Sequence, residues 1–329
     1  MRIEKILSFI FLIESLAATS CKSRESQTMG GGNGNGGGNG GPEEVKLRDL
    51  DTVGTVNIPL EEVSGSCVTS DHGGERMYFI GDRSYGVASY DPGNQSTGEV
   101  IDLSGAFPSS QPSQWEAISC SNSGMAYILN ESPGNLYVVN LKTQKLVKTI
   151  EFATVNGMPK TWNKSENSKG EGILILNNGH IFVLKEKDVP LLIEYGPEGD
   201  SAQGLDADLA PYIVQGNPFS NKKKETYVPL HEWEFNDQAL SNMKDFSEIT
   251  RDPEGRVYIL SQESQLVGKI EGKLRTDEGK VDIRKFYKLP KSIPNPEGLS
   301  VLGGFNLVVS SDIPSDNKDN VFILTAADD

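Results

Sequence analysis

The chain has 329 residues and a formal net charge of −15, from 31 Lys and Arg against 46 Asp and Glu. Hydrophobic residues at 36% and charged residues at 23% exclude both a disordered acidic tail and a multi-pass membrane protein. The acidic balance argues against nucleic acid as a partner, because phosphate binding needs a basic face. Three cysteines exclude a disulfide-rich scaffold, and three scattered histidines argue against a His-based zinc site.

The N-terminus reads as an export signal. Arg2 and Lys5 precede an apolar run from Ile6 to Ile13, and small residues from Ala17 to Ser20 lead into Cys21. The run is shorter than the ~20 apolar residues of a transmembrane helix. The pattern resembles a bacterial lipoprotein signal over residues 1–20, which makes Cys21 the lipidated first residue of the mature chain. Glu14 inside the run and Ala18 depart from that pattern, and an ordinary secretory signal is the alternative. Residues 21–51 are expected to form a flexible tether, because MGGGNGNGGGNGGP (Met29–Pro42) cannot bury apolar surface. A tether of this kind and of roughly 20 residues spans ~20–25 Å. The expected location is the bacterial cell envelope, lipid-anchored at the outer membrane or in the periplasm.

From Thr52 onward, short apolar runs alternate with Gly, Asp, Asn and Pro turns, which predicts an all-β domain over 52–329. Helical periodicity is confined to Ala202–Tyr212. Four segments repeat: Trp115-Glu116-Ala117-Ile118, Gly170-Glu171-Gly172-Ile173, Ser247-Glu248-Ile249-Thr250 and Pro296-Glu297-Gly298-Leu299. Each opens a strand–turn–strand unit that ends at Glu131, Glu186, Glu263 or Asp312, fifteen residues after the first acid. A fifth copy upstream runs from Cys67 to Asp82, with Cys67 in place of the first acid. In the copy at 247–250, either Ser247 or Glu248 is the true equivalent. Units about 50 residues apart fit the four-stranded blades of a five-bladed β-propeller. Thr52–Pro59 is then the spare strand that completes the last blade and closes the ring, which protects an open edge.

KGEGILILNNGHIFVLKEK, DFSEITRDPEGRVYILSQES and NPEGLSVLGGFNLVVSSD resemble the SdiA-regulated (YjiK-like) propeller domains, which are similar in turn to NHL-repeat propellers. The resemblance covers about residues 60 to 325. It implies a five-bladed propeller with a calcium site and no established activity for the class.

Equivalent positions at the starts of inner strands converge on one end of a propeller channel. Glu116, Glu171, Glu297 and either Glu248 or Asp245 are therefore candidate cation ligands. A secondary acidic ring of Glu131, Glu186, Glu263 and Asp312 lies near the same mouth. Crowded carboxylates repel unless hydrated, protonated or neutralised, and a hard cation such as Ca2+ takes 6–8 oxygen ligands. Alternatively, these acids only cap backbone amides or pair with Lys and Arg. Cys67 and Cys120 are expected to stay unpaired, because aligned repeats place them ~13 Å apart along parallel strands. His72, His180 and His231 are expected on turns or an outer strand, at the surface. The expected function is a membrane-tethered binding module for a protein, glycan or small-molecule ligand. The rival is a calcium-dependent hydrolase of the lactonase or phytase-like esterase type.

Overall fold

The computed structural model describes residues 46–71, 74–107, 112–131, 134–153, 170–187, 189–206, 217–277, 279–314 and 318–326. The signal (1–20), Cys21, most of the expected tether and His72 lie outside the described residues. The compact unit is Glu44–Asp329. Among the described residues no helix is long and apolar enough to cross a membrane.

The first strand, β1 (Lys46–Val56), is followed by five antiparallel meanders. The first contains β2 (Gly65–Asp71), β3 (Gly74–Ile80) and β4 (Gly86–Asp91), with the short β5 (Ser96–Thr97) and β6 (Ile101–Asp102) pairing on β4. The second runs through β7 (Trp115–Cys120), β8 (Met125–Asn130), β9 (Asn135–Asn140) and β10 (Lys145–Phe152). The third has β11 (Gly172–Ile175), β12 (Ile181–Lys185), β13 (Leu191–Pro197) and, after the short β14 (Leu205–Asp206), β15 (Lys224–Glu234). The helix α1 (Asp237–Asn242) leads into the fourth, made of β16 (Glu248–Arg251), β17 (Val257–Ser261), β18 (Leu266–Glu271) and, after β19 (Lys273–Leu274), β20 (Asp282–Lys288). The last holds β21 (Pro296–Leu302), β22 (Asn306–Ser311) and β23 (Val321–Ala326).

β1 completes the last meander, pairing antiparallel with β23 from Leu50 to Val56. The strand begins at Lys46, inside the stretch expected to be tether. Its first four residues pair parallel with β20, which joins the fourth and fifth meanders into one eight-stranded sheet. β10 and β15 join the second and third in the same way. Residues 205–206 of the segment with helical periodicity form β14 instead, and 207–212 lie outside the described residues.

Three of the five second strands are buried along their whole length: MAYILN in β8, IFVLK in β12 and VYILS in β17. A strand covered by sheets on both faces reads as a continuous apolar run rather than an alternation. Hydrophobic cores fill the spaces between successive meanders, from Trp115 and Ile128 beside Cys67 and Ile80 to Phe182 and Trp233 beside Ile249 and Ile259. The core of Phe79, Tyr90, Leu302 and Val308 links the fifth meander back to the first. The inner strands β2, β7, β11, β16 and β21 neighbour one another in that cyclic order, β21 returning to β2. The fold is thus all-β and propeller-like. Its hairpin turns place Gly124, Gly179, Gly255 and Gly304 at positive φ, where a Cβ would be strained.

Cys67 and Cys120 form a disulfide, with Cα atoms 5.8 Å apart, contrary to the expected separation. The reason is register. Gly65 packs against the Glu116 carbonyl and the Ala117 Cα, so Cys67 comes level with the end of β7. The β2–β3 hairpin is three residues longer than its counterpart. Twenty residues separate Glu62 from Asp82, whose amide bonds the Glu62 carbonyl, and seventeen separate the equivalent Gln114 and Glu131. Counting fifteen residues back from Asp82 therefore stops three residues short of the strand start, at Cys67 instead of Ser64.

Candidate functional site

Three inner strands are entered through a non-glycine residue in the left-handed region: Glu62 at φ 50°, Gln114 at φ 50° and Asn295 at φ 37°. Such a residue costs roughly 1–2 kcal/mol. Their carbonyls accept the amides of Asp82 (3.1 Å), Glu131 (3.1 Å) and Asp312 (2.9 Å). Two residues further on come Ser64, Glu116 and Glu297. This local pattern sets the first acid of one strand beside the second acid of its hairpin. In the third meander Glu171 starts the strand, its amide donating to Leu184 O at 3.0 Å. In the fourth the same bond is Ser247 N to Leu260 O at 2.9 Å, and in the first it is Ser64 N to Ile80 O at 3.2 Å.

The strand-start positions are therefore Ser64, Glu116, Glu171, Ser247 and Glu297, and neither Cys67 nor Glu248 is among them. The fourth meander is displaced by one residue throughout. Gln262 takes the place expected for Glu263, and its Nε2 donates to Glu297 Oε1 at 3.2 Å. Glu263 itself is 47% exposed and pairs with Lys187 at 3.1 Å. Asp245 is buried and accepts from Ser261 Oγ and from the Glu263 amide, a structural role. Asp82, which sequence reasoning left out of the site, belongs to it.

Glu116, Glu171, Glu297, Asp82, Glu131, Glu186 and Asp312 share one electrostatic field. Burial first, then Glu131, Asp82, Asp312 and Glu186, push Glu116 up to about 8. Burial, followed by Asp312, Glu116, Asp82 and Glu186, pushes Glu297 up to about 9. Burial and Glu62 raise Asp82 to about 7. Glu171 is held well above its ordinary value by burial, then by Glu116, Glu186, Glu131 and Glu297. Burial also raises Glu186 and Asp312. Two cations stand at the rim. Arg83 Nη2 donates to Glu62 Oε1 at 3.0 Å and its Nε lies 3.6 Å from Asp82 Oδ1. Lys187 Nζ meets Glu186 at 2.7 Å.

Glu248 stands apart. It is 2% exposed, and its Oε1 accepts the Ile249 amide at 2.9 Å. Burial drives its carboxyl well above the ordinary range against the pull of the Ile249 and Ile173 amides, and no mouth carboxylate acts on it. It wedges against Gly172 of the neighbouring inner strand, where a Cβ would meet Ile249 N at 2.6 Å.

The sequence matches the SdiA-regulated family over residues 95–315. The chain belongs to the SdiA-regulated family. No curated protein matches it. Among solved structures, Myxococcus xanthus glutaminyl cyclase is similar with a TM-score of 0.49 at 9% identity, over 87% of this chain and all of that one. Regucalcin from Agrobacterium tumefaciens, a calcium-binding protein, has a TM-score of 0.47 at 10% identity, over 86% of this chain and 96% of that one. The PQQ-bound aldose sugar dehydrogenase of Streptomyces coelicolor has a TM-score of 0.43 at 13% identity, over 84% and 97%. Likenesses this distant transfer no function.

Within this SdiA-regulated domain, the chemistry of the mouth suits a hard cation. All its donors are carboxylate oxygens, and Asp82 Oδ1 and Asp312 Oδ1 are buried without a hydrogen-bond partner. Among the described residues no three His, Cys, Asp or Glu side chains close into a ready-made metal cage. The histidines are elsewhere. His180 is buried at 2% exposure, contrary to expectation, because Glu194 holds its Nδ1 at 2.6 Å and Asp200 its Nε2 at 3.3 Å. His231 is half-buried against Trp233.

Proposed function

We propose that the domain is a five-bladed propeller acting as an exported, membrane-tethered binding module, with a calcium ion at its acidic mouth. The cyclic order of the inner strands and the core between the last and first meanders support the blade count. The observation that carries the cation is the set of seven raised or crowded carboxylates, among which Asp312 Oδ1 is buried with no hydrogen-bond partner and Asp82 Oδ1 has only the Arg83 guanidinium at 3.6 Å. Glu116, Glu171 and Glu297 would hold the ion, with Asp82 and Asp312 offering further oxygens. Because these acids are spread around the mouth rather than gathered in a cage, the ion would keep part of its water shell. It would supply a positive centre for an oxygen of the bound ligand, with Gln262 as an uncharged neighbour.

Calcium should raise the melting temperature of the purified chain and chelator should lower it, with about 2.7 kcal/mol gained at a hundredfold excess over the dissociation constant. Magnesium should restore less, since it demands a near-octahedral site. Glu171→Gln combined with Glu297→Gln should abolish the calcium effect while the β-rich circular dichroism spectrum persists. An unchanged melting curve under chelation, with no binding heat, would sink the cation reading. Carboxyls raised to about 8 and 9 also suit a general acid. Glu116-dependent cleavage of lactones or phosphate esters would therefore replace the binding module by a calcium-dependent hydrolase.

A further inference from the structure

The outer edge where β1 meets β20 gathers basic side chains in a chain whose net charge is −15. Lys46 of β1 pairs with Lys285 of β20, and Lys285 pairs with Lys269 of β18, so three lysines stand in register on three adjacent strands. Arg48 pairs with Tyr287 one step along the same face. Like charges directly opposite one another destabilise a sheet. Among the described ion pairs, Glu271 answers part of this row, 3.7 Å from Lys269 and 3.3 Å from Lys285. Burial raises the Tyr287 hydroxyl, against the opposing pull of Lys285 and Arg48. Lys46, Arg48, Lys285, Phe286 and Tyr287 line a groove of about 350 Å³. Leu47, between the two cations of β1, is 55% exposed.

This face also lies where the tether enters the domain. Residues 21–45 run directly into Lys46, the first residue of β1. An acidic domain tethered ~20–25 Å from an anionic surface is repelled by it except through a basic face. We propose that the basic face of Lys46, Arg48 and Lys285 docks on anionic phospholipid headgroups of the membrane that the tether reaches. Docking here turns the β1–β20 edge toward the lipid and sets the orientation of the acidic mouth. The proposal rests on the tethered reading for its biological setting, but the contact itself needs no lipid on Cys21.

The test uses the chain from residue 22 to 329, which contains every described hydrogen bond and carries no acyl group. It should sediment with phosphatidylglycerol–phosphatidylcholine vesicles at low salt, not with pure phosphatidylcholine, and should be released as salt rises through the screening range. Lys46→Glu with Arg48→Glu should weaken binding at least about tenfold. Lys142→Glu with Lys145→Glu, on the exposed β9–β10 turn, makes the same change in net charge and should leave it intact. The gentler pair Lys46→Gln with Arg48→Gln should weaken binding at an unchanged melting temperature, which separates charge from misfolding. Equal binding to neutral vesicles, or equal loss in both charge-reversal pairs, would overturn the proposal. So would full displacement by millimolar inorganic phosphate, which would make the groove a soluble-anion site. Membrane release of a Cys21→Ala chain reads the anchor separately, so either idea can fail alone.

Discussion

At Glu297 and Glu116, burial and repulsion by neighbouring acids act in the same direction, lifting the carboxyls to about 9 and about 8. An unfolded glutamate titrates near 4.3. Between roughly pH 4.5 and pH 9 the folded chain therefore holds more protons than the unfolded one, and stability falls as pH rises through that window. Urea denaturation in chelator should show the midpoint dropping from pH 5 to pH 8, and calcium should restore more of it at the higher pH. Glu116→Gln with Glu297→Gln should flatten the fall, while Glu61→Gln with Glu99→Gln, at exposed positions, should not. A midpoint in chelator that is level across this range would contradict the raised carboxyls. Glu116, Glu171 and Glu297 were legible in the sequence because an acid recurs at the start of three apolar strands. Their partners were less so, because a count of fifteen residues does not carry register. The longer β2–β3 hairpin moved Cys67 off the strand start and hid Ser64 as the residue that stands there. A one-residue shift in the fourth meander exchanged Glu248 for Ser247 and Glu263 for Gln262. The sequence left Ser247 and Glu248 open as the equivalent, and the bonds from Ser247 N to Leu260 O and from Gln262 to Glu297 favour Ser247.

Among the elements, β1 holds the fold closed. It pairs with β23 through Leu50–Val56 and with β20 through Lys46–Asp49, and it buries Leu50 in the core of the fourth and fifth meanders. Deleting residues 46–56 uncovers both sheet edges at once, and unpaired edges template association. The deletion should aggregate or lose a large part of the melting temperature, whereas deleting residues 30–41 should leave the melt unchanged. A 46–56 deletion that stays monomeric and melts like the parent would show that the ring closes by other means. The antiparallel hairpins were readable because their second strands are continuous apolar runs such as YILN, IFVL and VYIL. The parallel pairings of β1 with β20 and β10 with β15 were not. Outer strands such as KLVKTIEF expose about half their length, and nothing in their alternation names the neighbour. The Cys67–Cys120 bond adds a covalent link between the inner strands of the first two meanders and closes a long loop, a constraint of about 2–4 kcal/mol.

For the whole molecule, that disulfide bears on where the chain works. Bonds of this kind persist in oxidising compartments and are rare in the cytosol. The linkage agrees with the export signal proposed for residues 1–20, whose h-region and small-residue run end at Cys21. A single acyl chain binds a membrane only marginally, and stable anchoring takes a second signal. The lipoprotein pathway resembled here supplies more than one acyl chain, and the basic β1–β20 face would add an electrostatic contribution at the other end of the tether. The two can be told apart by salt, because screening removes the charge attraction and leaves the acyl chains in place. In cells expressing the full chain, the native protein should stay in the membrane fraction through a high-salt wash. Cys21→Ala should wash into the soluble fraction at high salt, and at low salt it should remain partly bound through Lys46 and Arg48. A Cys21→Ala chain that resists the salt wash as the native chain does would mean that neither lipid on this cysteine nor surface charge holds the protein, and the proposed anchor would have to be abandoned.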